Sequence, residues 1–227
     1  SRAIANEPRD TEFACRFVDV ILSKDTDGDG TKESPHHVVL IYTKQNVYIF
    51  DPHVNTLEIT EASMTGDVIA LNDINWGYWV TPPRGSGPFG PIMTEHLGSI
   101  WYAGFPEHFN VELSNPIHST QIQIPETVIN QGNRAKMIFG PQHIVWSDPF
   151  DPLGIVAYHF LAVEEHEVIT GIKSFKEQLV VFTDRSIYVL TGSDPETYAL
   201  FKAVSGVGCI APSSIVFGVV LALCNKP

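Results

Sequence analysis

The chain has 227 residues, 44% of them hydrophobic and 18% charged, so it is long enough to bury about 70% of its unfolded surface and is not a disordered segment. Its 26 acidic residues oppose 14 basic ones for a formal charge of −12, which argues against tight, salt-dependent binding to a phosphate backbone. Cys15, Cys209 and Cys224 show no metal-ligand spacing and, being three, form no even disulfide framework; they read as buried free thiols.

Taken in chain order, β-branched and aromatic runs alternate with clusters of Gly, Pro, Asp and Asn, the pattern of short strands joined by turns. The predicted strands are Phe17–Leu22, Val38–Thr43, Val47–Phe50, Ser99–Ala103, Val111–Leu113, Ile144–Ser147, Leu179–Thr183, Ile187–Leu190 and Ser214–Leu223. Within the last, the run Val216–Cys224 is too short for a membrane span, which needs about 20 apolar residues. Helix is nearly absent: Pro125–Met137 has room for one or two helical turns, weakened by Gly132.

Two stretches repeat the same wording. LIYTKQNVYIF, Leu40–Phe50, and VVFTDRSIYVL, Val180–Leu190, match in character at eleven positions: an apolar run, Thr, three polar residues, then a β-branched residue, Tyr and a β-branched residue again. Each describes two strands and a tight turn, so Asp184 and Arg185 are turn residues and not a reaction centre. Similar strand ends fall at Thr43, Ala103, Ser147, Thr183 and Cys224, spaced by 60, 44, 36 and 41 residues. Most intervals fit the roughly 40–50 residues of a propeller blade. The expected fold is therefore all-β, one domain over residues 1–227, with antiparallel repeats forming a partial or complete β-propeller-like unit. The long first interval is expected to hold an exposed Gly/Pro-rich inserted loop, Thr81–Pro91. The copy at VVLALCNKP stops before its second strand, from which the chain is expected to be a piece of a longer protein or to take the missing strand from its N-terminal segment or another chain.

Three groups of residues are candidates for chemistry. DTDGDG places Asp25, Asp27 and Asp29 at the alternate spacing by which a hard cation such as Ca²⁺ collects oxygen ligands, with the Thr31 carbonyl and Glu33 to follow. His36 stands where the helical calcium loop has its bidentate acid, and the flanks read as strands, so the choice lies between a β-loop calcium site and a solvated Asp-Gly turn. NWGYWVTPP carries Trp76, Tyr78 and Trp79 just before Arg84 and Phe89 of the loop; it is either an aromatic surface for glycan or protein partners or part of the core. Trp101 and Trp146 lie within strands and read as core. The nine histidines form no zinc spacing, and Glu164, Glu165 and Glu167 beside His159 and His166 read as a solvated acidic loop. No nucleophile elbow, P-loop, dinucleotide glycine pattern or HExxH occurs.

One family resemblance can be placed on these residues. ITG at Ile169–Gly171, the hairpin LVVFTDRSIYVLTG and GVGCIAPSSIV from Gly206 to Val216 resemble a segment of β-propeller-type structural proteins of tailed bacteriophages, including nozzle and tail tubular components. Ile100–Pro116 and His143–Pro152 are similar to hairpin edges in the same proteins. The resemblance implies a non-enzymatic virion protein that contacts other tail or head-tail subunits in a ring, its acidic wall letting DNA pass without holding it. The alternative is a calcium-dependent extracellular propeller that binds glycans or host surfaces.

Overall fold

A computed structural model describes residues 15–23, 34–51, 56–59, 78–79, 81–113, 128–130, 134–211 and 215. Among these residues there is no helix; fifteen strands form four antiparallel sheets. The first sheet is a meander of β1 (Arg16–Leu22), β2 (His36–Tyr42), β3 (Val47–Asp51) and β4 (Thr56–Ile59), paired in that order. The second consists of two hairpins, β5 (Ile92–His96) with β6 (Ser99–Ala103) and β10 (His143–Trp146) with β11 (Phe160–Ala162), joined by pairing of β6 with β10. Between those hairpins the chain builds a small sheet of β7 (Phe109–Glu112), β8 (Val128–Asn130) and β9 (Arg134–Phe139), with β9 in the middle. The last sheet is again a meander, β12 (Ile169–Phe175), β13 (Gln178–Thr183), β14 (Ser186–Thr191) and β15 (Ala199–Ser205). The first strands of the three four-stranded sheets are neighbours, β5 touching both β1 and β12.

The duplicated phrase has one physical cause. In the β2–β3 turn the Thr43 hydroxyl accepts the amides of Gln45 (3.2 Å) and Asn46 (3.0 Å) and donates to the Asn46 carbonyl (2.9 Å). In the β13–β14 turn Thr183 accepts from Arg185 (3.2 Å) and Ser186 (2.7 Å), and its hydroxyl lies 3.0 Å from the Ser186 carbonyl. A threonine at the strand end thus satisfies the amides that a tight turn would leave without partners. The carbonyl of each threonine also takes an amide from the chain that has left its sheet, Gly85 at 3.4 Å for Thr43 and Cys209 at 2.8 Å for Thr183. Glycine permits this close return: a Cβ at Gly208 would run into the backbone of Asp184, and one at Gly85 into Pro91.

Alternation along β6 and β10 explains why both read as unbroken apolar runs. Ile100 and Tyr102 of β6 and Val145 of β10 belong to a core shared with the first sheet and the small sheet, where Leu40, Tyr42, Trp79 and Phe139 also lie. Trp101, Ala103, Ile144 and Trp146 point to the other face, into a core shared with Leu179, Val181 and Tyr188 of the third sheet. The middle sheet is therefore buried on both faces, which removes the usual apolar-polar alternation from its sequence.

Several expectations are corrected by this arrangement. Ala103 ends the second strand of its sheet, as Thr183 does, and Thr43 directly follows one, but Ser147 follows a third strand, so the 44- and 36-residue intervals do not each mark a sheet. The small sheet, inserted between the second and third strands of the middle sheet, stretches that unit. Its β8 and β9 occupy Val128–Asn130 and Arg134–Phe139, within the stretch whose sequence has room for one or two helical turns; β-branched Val128 and Ile129 favour the pleated pairing. Thr81–Pro91 is not an exposed loop: Pro82, Pro83, Gly85, Gly87 and Pro91 are buried, and only Arg84 and Pro88 are exposed. Gly87 donates to the Gly104 carbonyl (2.8 Å), and Arg16 Nε to that of Pro91 (3.2 Å), which fasten the stretch as a packed connector between the first two sheets. Cys209 is buried as expected, whereas Cys15 is exposed. Cys224 and the expected strand Ser214–Leu223, with the incomplete copy it begins, lie outside the described residues apart from Ile215.

Replacing each turn threonine by the isosteric valine leaves two turn amides without an acceptor. Thr43→Val is expected to lower unfolding free energy by about 1–2 kcal/mol and Thr183→Val by about 3 kcal/mol, the second also losing a charged acceptor described below. Urea melts read both, and equal or negligible losses would contradict this account of the turns.

Candidate functional site

The densest polar cluster is built where the chain enters the third sheet. Glu167, on the connection from β11 to β12, is 6% exposed although its neighbours Glu164, Glu165 and His166 are exposed, so the expectation of a wholly solvated acidic loop fails at this residue. Its carboxylate receives the Thr183 hydroxyl (2.7 Å), the Ser186 hydroxyl (2.8 Å) and the Lys202 ammonium (2.9 Å). Lys202 also pairs with Glu164 and sits 5.3 Å from the centre of the Tyr188 ring, whose hydroxyl accepts the Glu164 amide (3.4 Å). Beside them Asp184 exchanges two bonds with Val168: Oδ1 accepts the Val168 amide (2.9 Å), and the Asp184 amide donates to the Val168 carbonyl (3.0 Å).

The electrostatics of this cluster oppose acid–base catalysis. Burial alone would push the Glu167 carboxyl up, but donors from Thr183, Lys202, Ser186 and Tyr188 outweigh it and hold the group below the usual carboxylate range. Hydrogen bonds to Glu164 and then Glu167 hold the Lys202 ammonium above its ordinary value. A general acid or base works best with its pKa moved towards neutrality, and both groups are moved away from it. The arrangement fastens the incoming segment (Glu167), the hairpin turn (Thr183, Ser186) and the outer strand (Lys202) to one charge.

A second cluster surrounds Asp148. Its Oδ2 accepts the Tyr78 hydroxyl at 3.1 Å, and its Oδ1 lies 3.7 Å from His159 Nδ1, too far for a hydrogen bond. Burial drives the His159 pKa down to about 4, so the ring is neutral and stacks on Trp146 with centroids 5.0 Å apart. Trp146 stacks in turn on Trp101 at 4.7 Å, both indoles fully buried as the strand pattern predicts. Burial likewise lowers His143, whose Nδ1 accepts the Gly140 amide (2.9 Å), and His96, whose Nδ1 is 2.9 Å from the Ser174 hydroxyl.

The aromatic candidates do not all share one surface. Trp79 is 1% exposed and packs against Phe139 (4.8 Å), Phe105 (6.0 Å) and Phe109 (6.3 Å), its amide donating to Ile155. Tyr78 is half-buried and held by Asp148; Phe89 packs partly buried against the second core, and Arg84 is exposed. Trp76 lies outside the described residues, as do Asp25, Asp27, Asp29, Thr31 and Glu33 of the calcium candidate. Among the described residues no group of three His, Cys, Asp or Glu side chains could hold a metal ion, and no helix is long and apolar enough to cross a membrane. In comparisons with known proteins, no protein-family model and no curated protein matches the chain.

The pH dependence of stability follows from these shifts. A carboxyl held below its unfolded value of about 4.3 stabilises fully above that value, and the contribution is lost as pH falls through the lower folded value. The buried histidines add acid sensitivity below their unfolded value of about 6.5, for the same sign reason. Stability should therefore decline from about pH 6.5 downward and steepen below about 4.3, and Glu167→Gln should remove the steep part while lowering stability at pH 7. Thermal melts from neutral pH to well below about 4.3 check this; parallel profiles for the two proteins below that value would contradict the role given to Glu167.

Proposed function

We propose that this chain is a non-enzymatic structural protein of a tailed-phage virion, the propeller-like part of a nozzle or tail component, with its three four-stranded sheets acting as neighbouring blades. The observation that carries the reading is the sheet arrangement: a middle sheet buried on both faces between two others, with the first strands β1, β5 and β12 side by side. Blades of a propeller stack face to face around their first strands in this way. The resemblance to phage tail proteins is most specific over Val168–Val216, and that stretch contains all of the third sheet, its threonine turn and the returning GVGC segment. The direction of the shifts at Glu167 and Lys202 supports holding and not turnover.

In this role the partners are other tail or head-tail subunits arranged in a ring, and the net charge of −12 makes a wall past which DNA moves without adhering. The alternative, calcium-dependent glycan binding, has Trp79 as one of its stacking residues, and the burial of that side chain favours the structural reading. Electron-microscopy class averages of the purified full-length protein with its tail complex should show the chain within a ring. Fluorescence anisotropy with duplex DNA should show no saturable binding at about 0.15 M salt. A protein that stays monomeric, encoded away from portal and tail genes, would overturn the assembly role, and tight DNA binding would overturn the passive wall.

A further inference from the structure

Between the first and second sheets lies a cavity of about 310 Å³ whose walls combine apolar and acidic groups. Alternation along β1 turns Phe17, Asp19 and Ile21 outward, with Phe17 65% and Ile21 38% exposed, while Val20 and Leu22 face the core. The opposite wall comes from the β5–β6 turn and the loop carrying Phe150. Leu97 and Phe150 are both well exposed, and both hold a left-handed backbone, at φ 52° and 61°, which costs an L-residue roughly 1–2 kcal/mol. Phe150 is fixed there by its own backbone: its amide donates to Gly98 (2.9 Å), and its carbonyl accepts from Ser23 (2.9 Å). The fold thus strains its backbone to keep two apolar side chains at a rim where solvent meets them.

Two carboxylates face the same space. Asp19 Oδ1 lies 3.1 Å from His37 Nδ1, and Glu95 Oε1 accepts the Gly98 amide at 2.7 Å; the second oxygen of each has no hydrogen-bond partner among the described residues. We infer that this cavity is a docking pocket for an arginine side chain of a partner protein. A guanidinium offers planar donors to the open carboxylate oxygens and a face to the Phe150 ring, and its methylenes suit the Ile21 wall. An anion would be repelled, and a purely apolar side chain would desolvate the carboxylates without replacing their hydrogen bonds. The same patch on a second copy is like-charged, which disfavours a symmetric self-contact. Exposed Phe17 and Leu97 beside the pocket extend it into a surface wider than a free amino acid covers, which points to a protein as the source of the arginine. The pocket belongs to this chain whatever assembly it serves, so its test stands apart from the virion reading.

The test is titration of the ¹⁵N-labelled full chain with Nα-acetyl-arginine methylamide and with its neutral citrulline analogue. Saturable amide shifts centred on Ile21 and Gly98 are expected for the arginine probe, with binding at least tenfold weaker for citrulline. Asp19→Asn and Glu95→Gln should each weaken the arginine probe about fivefold or more and Phe150→Leu severalfold, melting temperatures showing that the variants stay folded. Glu177→Gln, an exposed charge on the β12–β13 turn, should change nothing. Equal binding of the two probes, an equal effect of Glu177→Gln, or no saturable shift at Ile21 and Gly98 would overturn the proposal.

Discussion

The fold depends on a hydrogen-bonded threonine turn that holds three passages of the chain at once. Thr183 saturates the amides of its own hairpin, gives its carbonyl to Cys209 as the chain leaves the sheet, and meets Glu167 as the chain arrives. Thr43 does the first two of these for the first sheet, with the longer bond to Gly85. Each of these two sheets is consequently closed by local chemistry near one residue, and the return segments need glycine where they come close. Among the described residues, which form no helix, buried backbone groups must find partners in ladders or turns, and these two turns supply some of them.

From those closed sheets the packing follows. The middle sheet contributes alternate side chains to two cores and so ties the first sheet to the third, with Trp79 and Phe139 filling one side and the Trp101–Trp146 stack the other. Every residue of its two inner strands, β6 and β10, is buried. Its ionisable neighbours accordingly sit in stable protonation states: His159 neutral by burial, Glu167 ionised by its donors, Lys202 protonated by its acids. What reaches solvent instead is the rim between sheets, where Phe150 and Leu97 stand in left-handed conformations.

Much of this was legible in the sequence where the information is local. The β2–β3 and β13–β14 hairpins could be read because their strands and turn are contiguous, and β6 and β10 because two-sided burial makes them uniformly apolar. β12 and β15 are among the strands with no predicted counterpart, as are β4, β5, β8 and β11: ITGIKSF carries a glycine and a lysine, and ALFKAVS is an outer strand exposed along most of its length, so neither shows a clean pattern. Ser147 looked like another repeat end because a third strand and a second strand end alike; only the pairing of β6 with β10 tells them apart. Pro125–Met137 suggested helical turns because propensity is a weak guide when β9 is ordered by β7 across the small sheet. The Glu167 cluster was legible only as an acidic run, since its decisive partner, Lys202, lies 35 residues further along. Trp79 illustrates the same limit: its residue type fits a surface shelf or a core equally, and only its contacts with Phe105, Phe109 and Phe139 decide.

The central claim is that the two threonine turns close their sheets by binding both the hairpin and the chain that returns to it. Residue-resolved hydrogen exchange tests it most directly. The account predicts that the Asn46, Ser186 and Cys209 amides exchange slowly, with Gly85 less protected because its bond is longer, and that Thr183→Val exposes Ser186 without changing Asn46. Fast exchange at Ser186 and Cys209 in the unaltered protein, or loss of protection at both turns together in Thr183→Val, would contradict it.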